Sequence, residues 1–254
     1  MNTNETIFRN QQNFNQFDTA RLKRRGFLGT ISAGALAVGL SMMKPLKVVA
    51  EKSSEFSSPE DPDKWFSQIK GKHRILFDVK ETFASPILPF LWPRVFLMTN
   101  NATGTPDNDC SVVMVFRHEA IPYALDSSLW EKYKLGEIFK INVPGTTTPQ
   151  TKNPFWKPAP GTFMMPGGVE LKLGINELQD NGVMICVCNA AMTVFSAGAA
   201  AQMNKPADEV YKEWIAAVLP GIEVVPSGVW AVGRAQEHGC VYCFARPTHA
   251  YMGL

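Results

Sequence analysis

Two short apolar runs constrain this chain more than any other feature: Ser111–Phe116 (Ser-Val-Val-Met-Val-Phe) and Val183–Cys188 (Val-Met-Ile-Cys-Val-Cys). Neither alternates polar with apolar residues, so neither fits a strand with one wet face. Continuous β-branched runs of this length belong to strands buried on both sides, as in parallel sheets covered by helices. The flanking segments agree. His73–Val79, Ile222–Val225 and Cys240–Phe244 read as three further short strands. Helical patterns fall between the strands. They are Pro86–Met98, bent or shortened by Pro89 and Pro93, then Leu129–Ile138, Val169–Gln179, Pro206–Leu219 and Val229–Glu237. In Val169–Gln179, Leu171, Ile175 and Leu178 fall at i, i+4 and i+7. Pro206–Leu219 is the clearest helix, with Asp208 and Glu209 at its positive end and Pro220-Gly221 as a stop. Strands separated by helices predict an α/β fold: a three-layer α/β/α sandwich around a mainly parallel sheet of about five strands, over residues 70–246. Asn142–Gly168 does not follow the alternation. It is proline-rich, carries a Thr-Thr-Thr run and several aromatics, and reads as a long loop insertion serving as a lid, binding loop or oligomer contact.

Charge separates the chain into two parts. Residues 1–50 hold seven of the 25 Lys and Arg and two of the 23 Asp and Glu, leaving 18 basic against 21 acidic residues beyond them. A mildly acidic remainder gives no electrostatic reason to expect nucleic acid as a partner. Within residues 1–50, a polar start leads to Arg24-Arg25 just ahead of Phe27-Leu28, then an uncharged stretch from Phe27 to Met43, then Val48-Val49-Ala50. A charged region, a moderately apolar one and a small-residue exit make a targeting signal, and the paired arginines select the twin-arginine route. Residues 1–50 are therefore expected to be a cleaved signal peptide and 51–69 an extended linker. The folded domain follows, with 247–254 as a tail. The expected location is periplasmic. The twin-arginine translocase would be a partner during export, and no membrane association is expected after cleavage.

The chemistry centres on cysteine. Cys110, Cys186, Cys188, Cys240 and Cys243 are too few for a disulfide scaffold. Strand alternation places Cys186 and Cys188 on one face. Cys188 falls where the strand gives way to an Ala- and Gly-rich turn before the next helix, at the carboxyl-end rim where open parallel sheets gather ligands. Helix N-termini there support a thiolate, so Cys188 is a candidate nucleophile or sulfur carrier, set against the reading of both cysteines as small core residues. His118, directly after the strand Ser111–Phe116, reaches the same rim and is a candidate modulator or general base, against a rim histidine satisfied by backbone. Cys240-Val241-Tyr242-Cys243 has C-x-x-C spacing, but a strand there splits its two sulfurs between faces. No metal site and no cofactor are therefore expected, and no Cys240–Cys243 disulfide. A pairing of Cys186 with Cys240 or Cys243 would need their strands to be adjacent. No phosphate-cradling loop, G-x-S-x-G elbow or H-E-x-x-H pair is present.

Three stretches carry a family resemblance, in order. Gly182–Met192 resembles the strand of DsrE/DsrF-like proteins that ends in a cysteine followed by Asn and small residues. Leu219–Val229 resembles that family's PG-containing strand and helix start, and Ala235–Tyr242 its closing segment. The resemblance covers roughly His73 to Ala245, with Asn142–Gly168 as an insertion. It implies the three-layer fold, homo-oligomerisation and, in some members, a cysteine that carries persulfide sulfur in a relay with donor and acceptor proteins. Cys188 matches that cysteine position, and Asn189 and Cys186 become candidate contacts to substrate. A non-catalytic oligomeric binding or assembly protein is the alternative, with Trp92, Phe155, Trp156 and Phe163 covering subunit contacts.

Overall fold

The computed structural model describes residues 63–82, 87–165 and 167–245. The expected signal peptide, the first part of the linker and the 247–254 tail lie outside the described residues. In chain order the elements are α1 (Asp63–Phe66), β1 (His73–Val79), α2 (Ile87–Ala102), β2 (Cys110–Phe116), a 3₁₀ helix (His118–Ala124), α3 (Ser127–Lys132) and α4 (Leu135–Ile138). Then come β3 (Met164–Met165), β4 (Val169–Glu170), α5 (Ile175–Asp180), β5 (Val183–Cys188), α6 (Asn189–Gln202), α7 (Ala207–Ala216), β6 (Ile222–Val225), α8 (Gly228–Glu237) and β7 (Val241–Phe244).

Five strands form one sheet in the order β6-β5-β2-β1-β7, every neighbouring pair parallel. From β1 the chain steps outward to β2, β5 and β6, then returns across the sheet to place β7 beside β1. Right-handed crossovers put connections running one way on one face, and force a returning connection onto the other. The cores follow that rule. The larger core contains Phe90 and Leu97 of α2, Ile175 and Leu178 of α5, Met192 of α6 and Trp214 of α7, packed with Met114, Ile185 and Val187 of the sheet. The smaller one contains Ala231 and Ala235 of α8 with Leu76, Val113, Val115 and Cys186. Helices thus cover both faces of the sheet, a three-layer α/β/α sandwich.

Four differences from the sequence reading have physical causes. The end of the expected linker belongs to the fold: Asp63–Phe66 is helical, and Phe66 is fully buried against Trp230 and His238. The Ala- and Gly-rich stretch after Cys188 is not a turn; α6 starts at Asn189 with Cys188 as its N-cap. Leu129–Ile138 is two short helices, interrupted at Lys134, whose φ is 51°. Val169–Gln179 is helical only from Ile175, because Val169–Glu170 pairs with Met164–Met165 and Gly174 caps the helix.

The 142–168 insertion is anchored, not adrift. Phe155 is 1% exposed and stacks on Phe90 at 3.7 Å and on Phe163 at 5.2 Å. Phe155 and Phe163 are covered within the chain, which removes them from the set proposed to cover subunit contacts. Asn153, also buried, donates through Nδ2 to the carbonyls of Tyr123 (2.8 Å) and Leu125 (3.0 Å) and accepts from the Phe155 N–H (3.0 Å). Gly136 lets the returning chain pass, since a Cβ there would lie 2.1 Å from the Gln150 carbonyl oxygen.

Candidate functional site

The carboxyl ends of β1, β2, β5, β6 and β7 share one edge, and most of the sequence-derived candidates lie along it. Cys188 ends β5 and caps α6; its sulfur accepts the Ala191 N–H at 3.3 Å, and the residue is 6% exposed. An N-cap sulfur occupies the positive end of a 14-residue helix, where free amides favour an anion. Asn189 follows directly. Its Oδ1 accepts from the Tyr211 hydroxyl at 2.7 Å, tying the start of α6 to α7. The Ala190 N–H donates to the Pro226 carbonyl (3.2 Å), which joins the ends of β5 and β6.

Cys186 and Cys188 part company at the end of the strand. Cys186 is fully buried in the smaller core, and burial pushes its thiol well above the usual range, with Cys188 and Glu223 adding to the effect. Cys188 joins the larger core instead, because the chain turns straight from strand into helix at that residue. Its neighbour Cys186 is therefore walled off from any substrate that Cys188 could meet. His118 opens the 3₁₀ helix with φ 53° and is exposed, its ring edge-on to Phe195 of α6 at 6.0 Å. It stands on the flank of α6, beyond the capping turn.

A basic group at the same edge of the sheet is one the sequence reading passed over. Phe116 pairs with Val187 in the β2–β5 register, and on the other side of β2 the Arg117 N–H donates to the Val79 carbonyl of β1 at 3.0 Å. Arg117 follows β2 directly, so its backbone reaches the level of Cys188 on the neighbouring strand, while its side chain turns the other way, toward β1. Its guanidinium grips Asp78 with two hydrogen bonds, Nε to Oδ1 at 2.7 Å and Nη2 to Oδ2 at 2.8 Å. That bond to Asp78 chiefly holds Arg117 charged; burial opposes it, while Tyr242 and Cys188 add smaller favourable effects. Asp78 is 1% exposed and also accepts from the Tyr242 hydroxyl at 2.8 Å. Two clues were available. Asp78 is the one acid in the otherwise apolar inner half of β1, and Arg117 directly follows the nearly continuous apolar run of β2.

The remaining cysteines are apart. Cys243 pairs in register with Phe77 of β1, and β1 and β2 separate β7 from β5. Three strand spacings amount to roughly 14 Å, well beyond the ~4.4–6.8 Å Cα separation of a disulfide. A bridge from Cys186 to Cys243 is thereby excluded, and all five cysteines are free thiols. Burial pushes Cys240 up to about 11, although Arg74 acts against it. Among the described residues no group of three or more His, Cys, Asp and Glu is placed to hold a metal ion. A cavity beside the insertion, lined by Pro158, Pro160, Phe163, Lys172 and Glu177 among others, shares no residue with the Cys188 rim.

The fold and rim define the class: an α/β/α domain with a helix-capping thiol and a carboxylate-held arginine along one edge of the sheet. No family model and no curated protein matches the chain. A solved structure of a protein of unknown function from Methanobacterium thermoautotrophicum is similar to it at 14% identity, with a TM-score of 0.34. The match covers 68% of this chain and 99% of that one. A likeness that slight does not speak for function. No helix among the described residues is long and apolar enough to cross a membrane.

Proposed function

We propose that this chain is a DsrE/DsrF-like protein, exported by the twin-arginine route to the periplasm, that carries sulfur through Cys188. The observation that carries the reading is the setting of that thiol: it ends β5 at the carboxyl-end rim, caps α6 and accepts the Ala191 N–H. A thiolate so placed attacks a sulfane sulfur of a donor polysulfide or persulfide. The new bond joins Sγ to that sulfur, the donor S–S bond breaks, and its electron pair leaves with the shortened donor. The product is a Cys188 persulfide, whose terminal sulfur a second thiolate removes by the reverse exchange. No outside oxidant is needed. Asn189, fixed by Tyr211, borders the incoming group. Incubation of the folded protein with inorganic polysulfide, followed by peptide mass mapping, should add one sulfur to the Cys188 peptide and none to a Cys188→Ser variant. A Cys188 peptide that gains nothing overturns the reading.

Homo-oligomerisation is part of the same proposal, and donor or acceptor proteins would be transient partners. Its support is the β3–β4 hairpin, where Met164, Met165 and Val169 are 50%, 48% and 59% accessible and Met165 and Val169 are register partners. The same hairpin is what favours the second reading, an assembly protein that keeps the fold without the chemistry.

A further inference from the structure

The two edges of the sheet are finished differently. β6, at one edge, carries Glu223 and runs into Pro226, and its Ile222 and Val225 are buried. Charge, proline and cover are the means by which a sheet edge is kept from pairing with another chain. β7, at the other edge, reads Val-Tyr-Cys-Phe, with neither charge nor proline, and Val241 and Tyr242 are 63% and 47% exposed.

The direction of its backbone groups follows from one bond. The Ala245 N–H donates to the Asp78 carbonyl at 3.0 Å, and Val241 and Cys243 pair in register with Ile75 and Phe77 of β1. Successive residues of a strand turn their N–H and C=O groups to opposite sides. Val241, Cys243 and Ala245 therefore point theirs at β1, and Tyr242 and Phe244 point theirs outward. Among the described residues, no backbone group partners those two donors and two acceptors.

An outward row of this kind complements its own copy. With a two-fold axis at Cys243, antiparallel strands set Tyr242 opposite the partner's Phe244, and Phe244 opposite the partner's Tyr242. Each pair exchanges two N–H···O=C bonds, so every outward group is used. An axis at Tyr242 does worse: it sets Phe244 against the partner's Cys240, whose N–H is already given to the Ala235 carbonyl at 3.0 Å. The register centred on Cys243 also makes two cross-strand aromatic pairs, which stabilise a sheet, and sets exposed Val241 opposite the partner's Ala245.

We infer that β7 is the contact through which two copies of this chain join, edge to edge and antiparallel about Cys243, into one continuous sheet with five strands from each copy. This contact is separate from the β3–β4 hairpin, and it stands whether or not Cys188 carries sulfur.

The two Cys243 residues form the non-hydrogen-bonded pair on the axis, with Cα atoms about 4.5 Å apart, inside the ~4.4–6.8 Å span of a disulfide. Diamide therefore reports the contact: it takes one hydrogen from each thiol, becomes the hydrazine, and leaves a bond between the two sulfurs. The treated full chain should yield a linked dimer whose peptide map joins Cys243 to Cys243. Untreated protein should sediment as a reversible dimer over a concentration series. Phe244→Pro removes an outward N–H and none from the β1–β7 ladder. It should weaken association by about 30-fold or more, since two bonds are lost per dimer. Val241→Lys, at an exposed site, puts a charge on the edge and should act in the same direction if proline at 244 disturbs the fold. A chain that sediments as a monomer throughout, as when its own residues 246–254 cover the edge, overturns the inference. So does association unchanged in both variants, or a diamide product linked through other cysteines with Cys243 left as the thiol. Sulfur gained by the Cys188 peptide from polysulfide is read separately, so this contact and the sulfur-carrier reading fail independently.

Discussion

At the scale of single residues, the chemistry rests on side chains whose neighbours cannot be read from spacing alone. Cys188 was legible, because a strand ending in cysteine before small residues places that thiol at the carboxyl-end rim. Its hydrogen bond to Ala191 and its departure from the Cys186 core were not, since both depend on α6 starting without a turn. Asp78 and Arg117 lie 39 residues apart, and only the β1–β2 register brings them together. Their pair makes a stability prediction. Asp78→Asn leaves a partly buried guanidinium without its counter-charge, and should cost about 3 kcal/mol in urea unfolding. A loss under about 1 kcal/mol, the range of an exposed pair, would show that solvent already screens Arg117.

At the scale of elements, hydrophobic pattern located the strands well. β1, β5 and β6 have the expected limits, and β2 and β7 differ by one residue. Strands buried on both faces leave a continuous apolar signature that needs no partner to be recognised. α6 was missed because its Ala, Gly, Ser and Thr residues carry little amphipathic contrast, although alanine is the best helix former. The insertion was recognised as irregular, but not as part of the core. Its hold comes from Asn153, whose side chain satisfies two buried carbonyls and one N–H at once. Asn153→Ala strands all three and should cost about 2–3 kcal/mol. Limited proteolysis should then cut within 142–168 before the sheet unfolds. Cleavage unchanged from wild type would mean that the Phe90–Phe155–Phe163 stack secures the segment alone.

At the scale of the whole molecule, layer order follows from handedness once the strands are known. Three outward crossovers fill one face, and the single return from β6 to β7 places α8 on the other, under which Cys186 is sealed. The same return brings Tyr242 to Asp78 and Gly228 against the Arg117 stem, so this cluster is a product of topology that no local stretch of sequence displays. The proposal of export together with sulfur carrying requires that the mature domain work outside the cytoplasm. The most direct measurement is the peptide-mapped mass of the protein taken from a periplasmic fraction, its thiols trapped with an alkylating reagent at lysis. The account predicts a chain that begins after Ala50 and a Cys188 peptide bearing one sulfur beyond its own. A Cys188 peptide recovered only as the alkylated thiol, in protein that has reached the periplasm, would contradict it.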